Sequence, residues 1–474
     1  MPQGSTNPEP GSQGGSGWAE WLVASALLVL LFAVYILSPA GGLWDSRFAV
    51  LTSEAILEGD GFDLARFLDA TAWEASPAAD RSAAMPWQLE RRGDRLLYLF
   101  PPGTPVLSLP LVAALRASGL STLDADQRYD RASERWMQLL IASFLAALTA
   151  VVALRLARHE VALPDAAAIA LVAGLGSSLW TVASRELWSQ TWSALLIGVA
   201  WHELLRWEKR ALPRPLLLGA LLSAAFWVRP SNAWMALAMT AFVAVRHRTQ
   251  TTRLLISGLL GLSAYCAWSL HYWGALFPRY VSMTREWSAS AILRRCGESL
   301  FSMQHGLLVY SPILLAVVYV LWRQGVPHSR RPLAGLGLAI IAGHLALHAA
   351  SGARWGIDGP RFQHDLIPIL AWFGAVALRR SQEPTEAGVR HFSRRRLATV
   401  VAVLVLAAAS VLASIGGVYT GQRRMGQYRS ELEASYPAWD LRRLPQYLGL
   451  RVLGGADPLR QSPKQRRRAQ AASD

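Results

Sequence analysis

The chain has 474 residues, of which 52% are hydrophobic and only 17% charged, with a formal net charge of +15. A soluble protein of this length carries about a quarter charged residues, so the deficit excludes an ordinary water-soluble enzyme and indicates a chain that crosses a membrane repeatedly. Many of the arginines sit in short loops between apolar runs, where they fix orientation. No zinc-finger or RNA-binding signature accompanies them, so nucleic acid is not an expected partner.

Residues 1–17 are rich in Gly, Ser and Pro and read as a disordered N-terminal tail. The first apolar run, 18–37, has no basic n-region and no clean A-x-A site, so it reads as a retained span rather than a cleaved signal. Further apolar runs fall near 136–154, 166–183, 191–205, 215–228, 232–245, 254–273, 306–322, 332–350, 366–378 and 397–417. The expected fold class is therefore an all-α polytopic membrane protein of about eleven transmembrane helices, with short helices in a long first outer loop, 41–135. Several runs are shorter than a full crossing and suit tilted or broken helices. Cys266 and Cys296 form no CxxC pair and suggest no disulfide framework.

Sidedness follows from alternate basic loops. "RLARHE" (155–160), "RWEKRALPR" (206–214), "RHRTQTTR" (246–253), "RQGVPHSRR" (323–331) and the segment 379–396 are assigned to the cytoplasm. Parity then puts the N-terminus inside and a C-terminal tail, 418–474, outside. The apolar stretch "FPPGTPVLSLPLVAALRASG" (100–119) would invert every later loop if it crossed, so it reads as an amphipathic or re-entrant segment on the outer leaflet.

The outer loops hold the candidate chemistry. Asp45 stands just beyond the first span, where an acid is costly unless it reaches water or a partner. Arg185 with Glu186, Arg229, and Asp358 with Arg361 lie within a few residues of other span ends at similar depth. Arginine presents a planar fork suited to phosphate oxygens. One acid with two or three arginines suggests a site for a phosphate-bearing lipid and a general base. The acids after Asp45, beginning with Glu54, read as a solvated loop helix that carries Asp45 into place. Arg229, at the "RPSN" turn (229–232), fits equally a recessed cavity or a plain hairpin with a snorkelling arginine. "ARWGIDGPRF" (353–362) is the most specific local signal: its glycines and Pro360 build a rigid support that aims Arg361. Trp44, Trp188 and Trp355 lie beside these charges, where an indole can stack on a sugar. His344 and His348, at i and i+4, with His364 across the loop, leave metal binding open, although polar helix contacts account for them.

These residues bear a family resemblance. The acid beyond the first span, "YLFPPGTPVLSLPL" (98–111), "SRELWSQ" (184–190), and "HGLLVYSPILL" (305–315) ahead of "RWGIDGPRF" (354–362) together resemble the GT-C superfamily of membrane glycosyltransferases, near protein O-mannosyltransferases and lipid A aminoarabinose transferases. The resemblance spans most of 18–417. It implies a many-helix catalytic domain with its active site on the outer face of a bacterial inner membrane. Such an enzyme takes a sugar from a polyprenyl-phosphate carrier and passes it, with inversion, to a protein, lipid or glycan acceptor. It gives Asp45 the role of base, or of steering the acceptor nucleophile, and gives Arg361 the carrier phosphate. On the reading of the loops above, Arg185 or Arg229 joins Arg361 at the phosphate, and Glu54, Glu186, Asp358, Trp188, Trp355 and His364 are supporting residues. The chain departs from the family pattern where Ser46 and Arg47 follow Asp45 in place of a second acid, and where Ile357 and Asp358 precede Gly-Pro-Arg. No nucleotide cofactor is expected, since neither a P-loop nor GxGxxG is present; a divalent cation is left open. The competing reading is a transporter or flippase of a lipid-linked glycan. The charges crowding toward one face, with no clear internal repeat, favour the enzyme.

Overall fold

The computed structural model describes residues 14–38, 42–68, 85–209, 212–276, 278, 288–303, 306–351, 360–382 and 394–420. In chain order these form α1 (Gly14–Leu37), α2 (Ala49–Glu58), a hairpin of β1 (Leu89–Arg92) and β2 (Arg95–Tyr98), and α3 (Gly103–Ala117). There follow α4 (Arg131–Ala157), α5 (Leu163–Leu175), a π-helical turn (Leu179–Ala183), α6 (Ser189–Glu208), α7 (Pro215–Val228) and α8 (Ala233–Arg246). The rest comprises α9 (Arg248–Trp273), α10 (Ala289–Phe301), α11 (Leu307–Tyr310), α12 (Ile313–Gln324), α13 (Arg331–Ala350), a 3₁₀ segment (Arg361–Leu366), α14 (Ile367–Gln382) and α15 (Arg394–Thr420).

Each apolar run is mainly helical. Among the described residues four segments are long and apolar enough to cross a membrane: 17–37, 131–157, 248–273 and 328–350. The count of eleven crossings is not established by helix length. The run 306–322 breaks at Ser311–Pro312 into α11 and α12, because Pro312 has no N–H to continue the ladder. The hairpin β1–β2, with Leu89 opposite Tyr98, corrects the all-α reading of the first loop. Its Leu96 and Tyr98 close a small core with Phe48, Leu51, Leu64 and Phe67, which a two-stranded ribbon needs for stability.

Helix α4 is the axis of the bundle and packs against α1, α5, α6 and α14. Ala142, Ala146, Ala150, Ala153 and Ala157 recur every three or four residues and are fully buried. Small side chains on one face let neighbouring helices approach closely where lipid supplies no hydrophobic drive. Asp130 caps α4, accepting from the N–H groups of Ala132 (2.9 Å) and Ser133 (3.1 Å). At the far end of the bundle, Glu160 accepts from Arg379 Nη1 (3.1 Å) and Trp372 Nε1 (3.3 Å) and forms an ion pair with Arg330, whose Nε lies 2.8 Å away. That contact ties the α4–α5 turn to α13 and α14.

Helix α3 is the stretch expected to lie on the outer leaflet. At 15 residues it is about 22 Å long, too short to cross ~30 Å of hydrocarbon. Its first residue explains the "FPPGTP" motif. A Cβ at Gly103 would fall inside contact distance of the backbone of Trp227 and Val228, at the end of α7. Only glycine allows that approach, and it seats the first loop directly beside Arg229.

Candidate active site

The Trp44–Asp45–Ser46 segment is held on four sides. Glu186 accepts from Trp44 N–H (3.1 Å) and Ser46 Oγ (2.8 Å). Gln88 Nε2 donates to the Trp44 carbonyl (2.9 Å), and Tyr98 OH to the Asp45 carbonyl (2.5 Å). Gln138 Nε2 donates to the Ser46 carbonyl (2.7 Å), while its Oε1 accepts from Leu187 N–H (3.1 Å). Behind it the chain turns through Phe48, whose φ of +77° is left-handed and strained for a bulky side chain. The strain is held by Glu134, which accepts from Phe48 N–H (3.0 Å), Val50 N–H (3.2 Å) and Tyr129 OH (2.6 Å). These last two backbone donors belong to the start of α2, so a distant carboxylate supplies the cap that no local residue provides.

Opposite this clamp stands Arg361, the first residue of the 3₁₀ segment. Its Nη2 donates to Asp45 Oδ2, forming an ion pair between the first loop and the last. The guanidinium lies 3.7 Å from the ring centroid of Trp188, a cation–π contact that orients it. Arg361 is buried, whereas the Asp45 side chain keeps 27% exposure, so the pair opens outward through the acid.

Arg229 stands deeper. Its Nη1 pairs with Asp365 Oδ2 at 2.5 Å and its Nη2 lies 3.2 Å from His348 Nε2. His344 Nε2 lies 2.6 Å from the Phe362 carbonyl, so its bonded tautomer carries the proton there. Phe362 stacks on His348 at 5.2 Å. The whole 3₁₀ segment is thus fastened to α7 and α13 from below. Donor atoms of His344, His348 and Asp365 lie within 4.8 Å of one another, close enough for a cation to bridge them after rearrangement. The Arg229 guanidinium already balances Asp365 there, so this cluster is electrically complete without an ion.

Glu186 is fully buried, and burial pushes its carboxyl up to about 8, against the opposing pull of its bonds from Trp44 and Ser46 and the charge of Arg361. Its Oε1 has no hydrogen-bond partner among the described residues. His364 is also buried, which pushes its imidazole down to about 3 and keeps it neutral.

The positions picked out from the sequence therefore divide. Asp45, Glu186, Trp188 and Arg361 come together, and Arg185 is buried next to Glu186 in the same turn. Arg229 and His364 lie beneath, in the support of the 3₁₀ segment. Trp188 is covered by Arg361, so of Trp44 and Trp188 it is Trp44, 39% exposed, that presents an open face. Glu54 is not solvated: it is fully buried and accepts from Thr122 N–H (3.1 Å), Thr122 Oγ1 (2.5 Å) and Ser121 Oγ (3.2 Å), bracing the loop below α3. Asp358 and Trp355 lie outside the described residues. Ser46, Tyr98, Gln138 and Asp365 went unmarked in the sequence. They bond across 53 to 140 positions, and no local pattern announces such contacts.

A bundle of apolar helices with an acid–arginine pair joining Asp45 to Arg361 at one end defines the class: a multi-pass membrane protein. The fold is that of a crystal structure of ArnT from Cupriavidus metallidurans in the apo state, at 14% identity and a TM-score of 0.50, covering 92% of this chain and 76% of that one. A second ArnT structure from that organism, bound to undecaprenyl phosphate, aligns over the same shares at 14% identity and a TM-score of 0.48. The GT-C resemblance read from the sequence holds at the level of the fold. No protein-family model matches the sequence, and no curated protein matches it.

Proposed function

We propose that the protein is an integral membrane glycosyltransferase that moves a sugar from a polyprenyl-phosphate carrier to an acceptor on the extracytoplasmic side, with inversion. The observation that carries the reading is the Asp45–Arg361 pair on a fold shared with ArnT. Asp45 takes the proton from the acceptor hydroxyl or amine. The freed electron pair attacks the anomeric carbon, the bond from that carbon to the phosphate oxygen breaks, and the polyprenyl phosphate leaves with the bonding electrons. Arg361, aimed by Trp188, stabilises the charge gathering on that phosphate. Asp45 pairs with Arg361, so a donor phosphate that takes the arginine releases the acid for catalysis. Glu186 holds the Asp45 segment in register. In this reading the basic loops face the cytoplasm across a bacterial inner membrane, with the N-terminus inside and about eleven crossings.

The test is consumption of a panel of polyprenyl-phosphate sugars by purified protein in proteoliposomes, wild type beside Asp45→Asn, with and without a chelator. Release of polyprenyl phosphate from one donor by wild type only is the expected result, and the chelator arm reports any need for a divalent ion. Consumption of no donor removes the transferase reading, and equal rates in both proteins remove Asp45 from the role of base. Intact labelled lipid changing leaflet would replace it with a flippase.

A further inference from the structure

A second opening in the bundle has no part in the chemistry above. A cavity of about 1170 Å³ runs between α5, α11–α12, α14 and α15. At one end it reaches Ser177 and Ser311; at the other it reaches Arg323, near the end of α12, and Arg380, near the end of α14. Because it follows α5 along its 13 residues, it is about 20 Å deep, more than the ~15 Å of one leaflet's hydrocarbon. Its walls are mainly apolar, and none of Asp45, Glu186, Trp188 or Arg361 lines it.

We propose that this cavity binds an anionic phospholipid of the cytoplasmic leaflet, its headgroup at Arg323 and Arg380 and its acyl chains along the apolar walls. Arginines at span ends are what orientation alone demands. These two do more: both stand at the mouth of a chain-deep apolar slot, the pairing of features by which basic pockets between spans take anionic headgroups. Arg323 is exposed, and Arg380 Nη2 donates to the Gln324 carbonyl (2.7 Å), which holds the ends of α12 and α14 together at the mouth. The cavity is roomy as well as lined. A Cβ on Gly374, in its α14 wall, would meet only Val317 Cγ2, at 3.9 Å. Helices packed for their own sake in a bilayer close such gaps with side chains; here the gap persists along the helix length. The acidic residue of the lining, Asp165, accepts from Gln382 Nε2 (3.0 Å) and so is drawn to the wall. The proposal rests on the membrane orientation proposed above and not on the transferase chemistry.

The test is native mass spectrometry of the full-length protein, delipidated in detergent and titrated with dioleoylphosphatidylglycerol or dioleoylphosphatidylcholine. Wild type is expected to retain the phosphatidylglycerol about tenfold more strongly. The double change Arg323→Gln with Arg380→Gln should bring that preference below about twofold, and Gly374→Phe should lower retention of both lipids by filling the slot. Equal retention of the two lipids by wild type overturns the proposal, as does unchanged retention by Gly374→Phe. Competition by polyprenyl phosphate that displaces the phosphatidylglycerol one for one would also overturn it, by making the slot a donor-tail site. Donor turnover is scored separately, so an active enzyme without headgroup preference sinks only this inference. Maleimide labelling of Ser329→Cys in sealed vesicles, in a background lacking Cys266 and Cys296, reads the orientation; labelling from the outside would move the arginines to the wrong leaflet and end the proposal.

Discussion

Asp45 and Arg361, 316 positions apart in the chain, form a direct ion pair at one end of the helix bundle. The proposed base and the proposed phosphate ligand therefore neutralise each other until a donor arrives. Binding and catalysis should consequently separate on substitution. Asp45→Asn should lower turnover by about 10²–10⁴, the usual range for a general base, yet bind polyprenyl phosphate at least as tightly as wild type, because the arginine no longer has an internal partner. Arg361→Ala should lose both, with turnover down about 10²–10³ as for a lost charge-stabilising donor. Equilibrium binding of polyprenyl phosphate to the two variants checks this; weaker binding by Asp45→Asn would show that the pair is not in competition with the donor.

Arg229 should behave differently from Arg361. Its guanidinium is satisfied by Asp365, and both side chains are buried. Removing one partner of a buried pair leaves a stranded charge and costs about 3–5 kcal/mol. Arg229→Ala and Asp365→Ala should each lower the detergent Tm sharply, and the double variant should recover part of the loss. A Tm equal to wild type with a raised KM for donor would instead mean that Arg229 reaches the donor phosphate itself.

The buried Glu186 carboxyl gives a pH signature. Its folded pKa lies near 8, above its unfolded value near 4.5, so the native state binds the proton more tightly. The stabilisation from that proton is full below about pH 4.5 and is lost as pH rises toward 8. Wild-type thermal stability should fall across that window more steeply than that of Glu186→Gln, which keeps a neutral side chain throughout. Parallel slopes in the two proteins would place the ionisation elsewhere.

Gly103 supplies a purely steric prediction. Gly103→Ala puts a methyl against the backbone of Trp227 and Val228, which must shift because backbone cannot rotate away. Overpacking of this kind costs about 1–3 kcal/mol. Because Arg229 follows Val228 directly, the shift should also disturb its pair with Asp365. The expected outcome is a lower Tm and reduced donor turnover together; an unchanged Tm would show that α3 can retreat from α7.

Much of the architecture was legible in the sequence for a plain reason. Membrane helices are written locally, as runs of apolar residues with basic loops between them, and each run named from the sequence is mainly helical, with breaks inside 166–183 and 306–322. Asp45, Arg185, Glu186 and Arg361 were legible too, because charge at a span end is conspicuous against an apolar background. What a run of residues does not encode is depth or partnership. Glu54 and Glu186 look alike in the chain, yet one braces Thr122 and the other clamps Ser46. Arg229 and Arg361 both read as phosphate ligands, yet only the tertiary structure gives the first to Asp365 and the second to Asp45. The hairpin β1–β2 was equally hidden, since its strands are four residues each and gain stability only from the core they cover. The sequence by itself determined the helices and the residues available for chemistry. Their division into site and support was decided by folding, because it depends on contacts between residues far apart in the chain, from 53 positions for Tyr98 and Asp45 to 316 for Asp45 and Arg361.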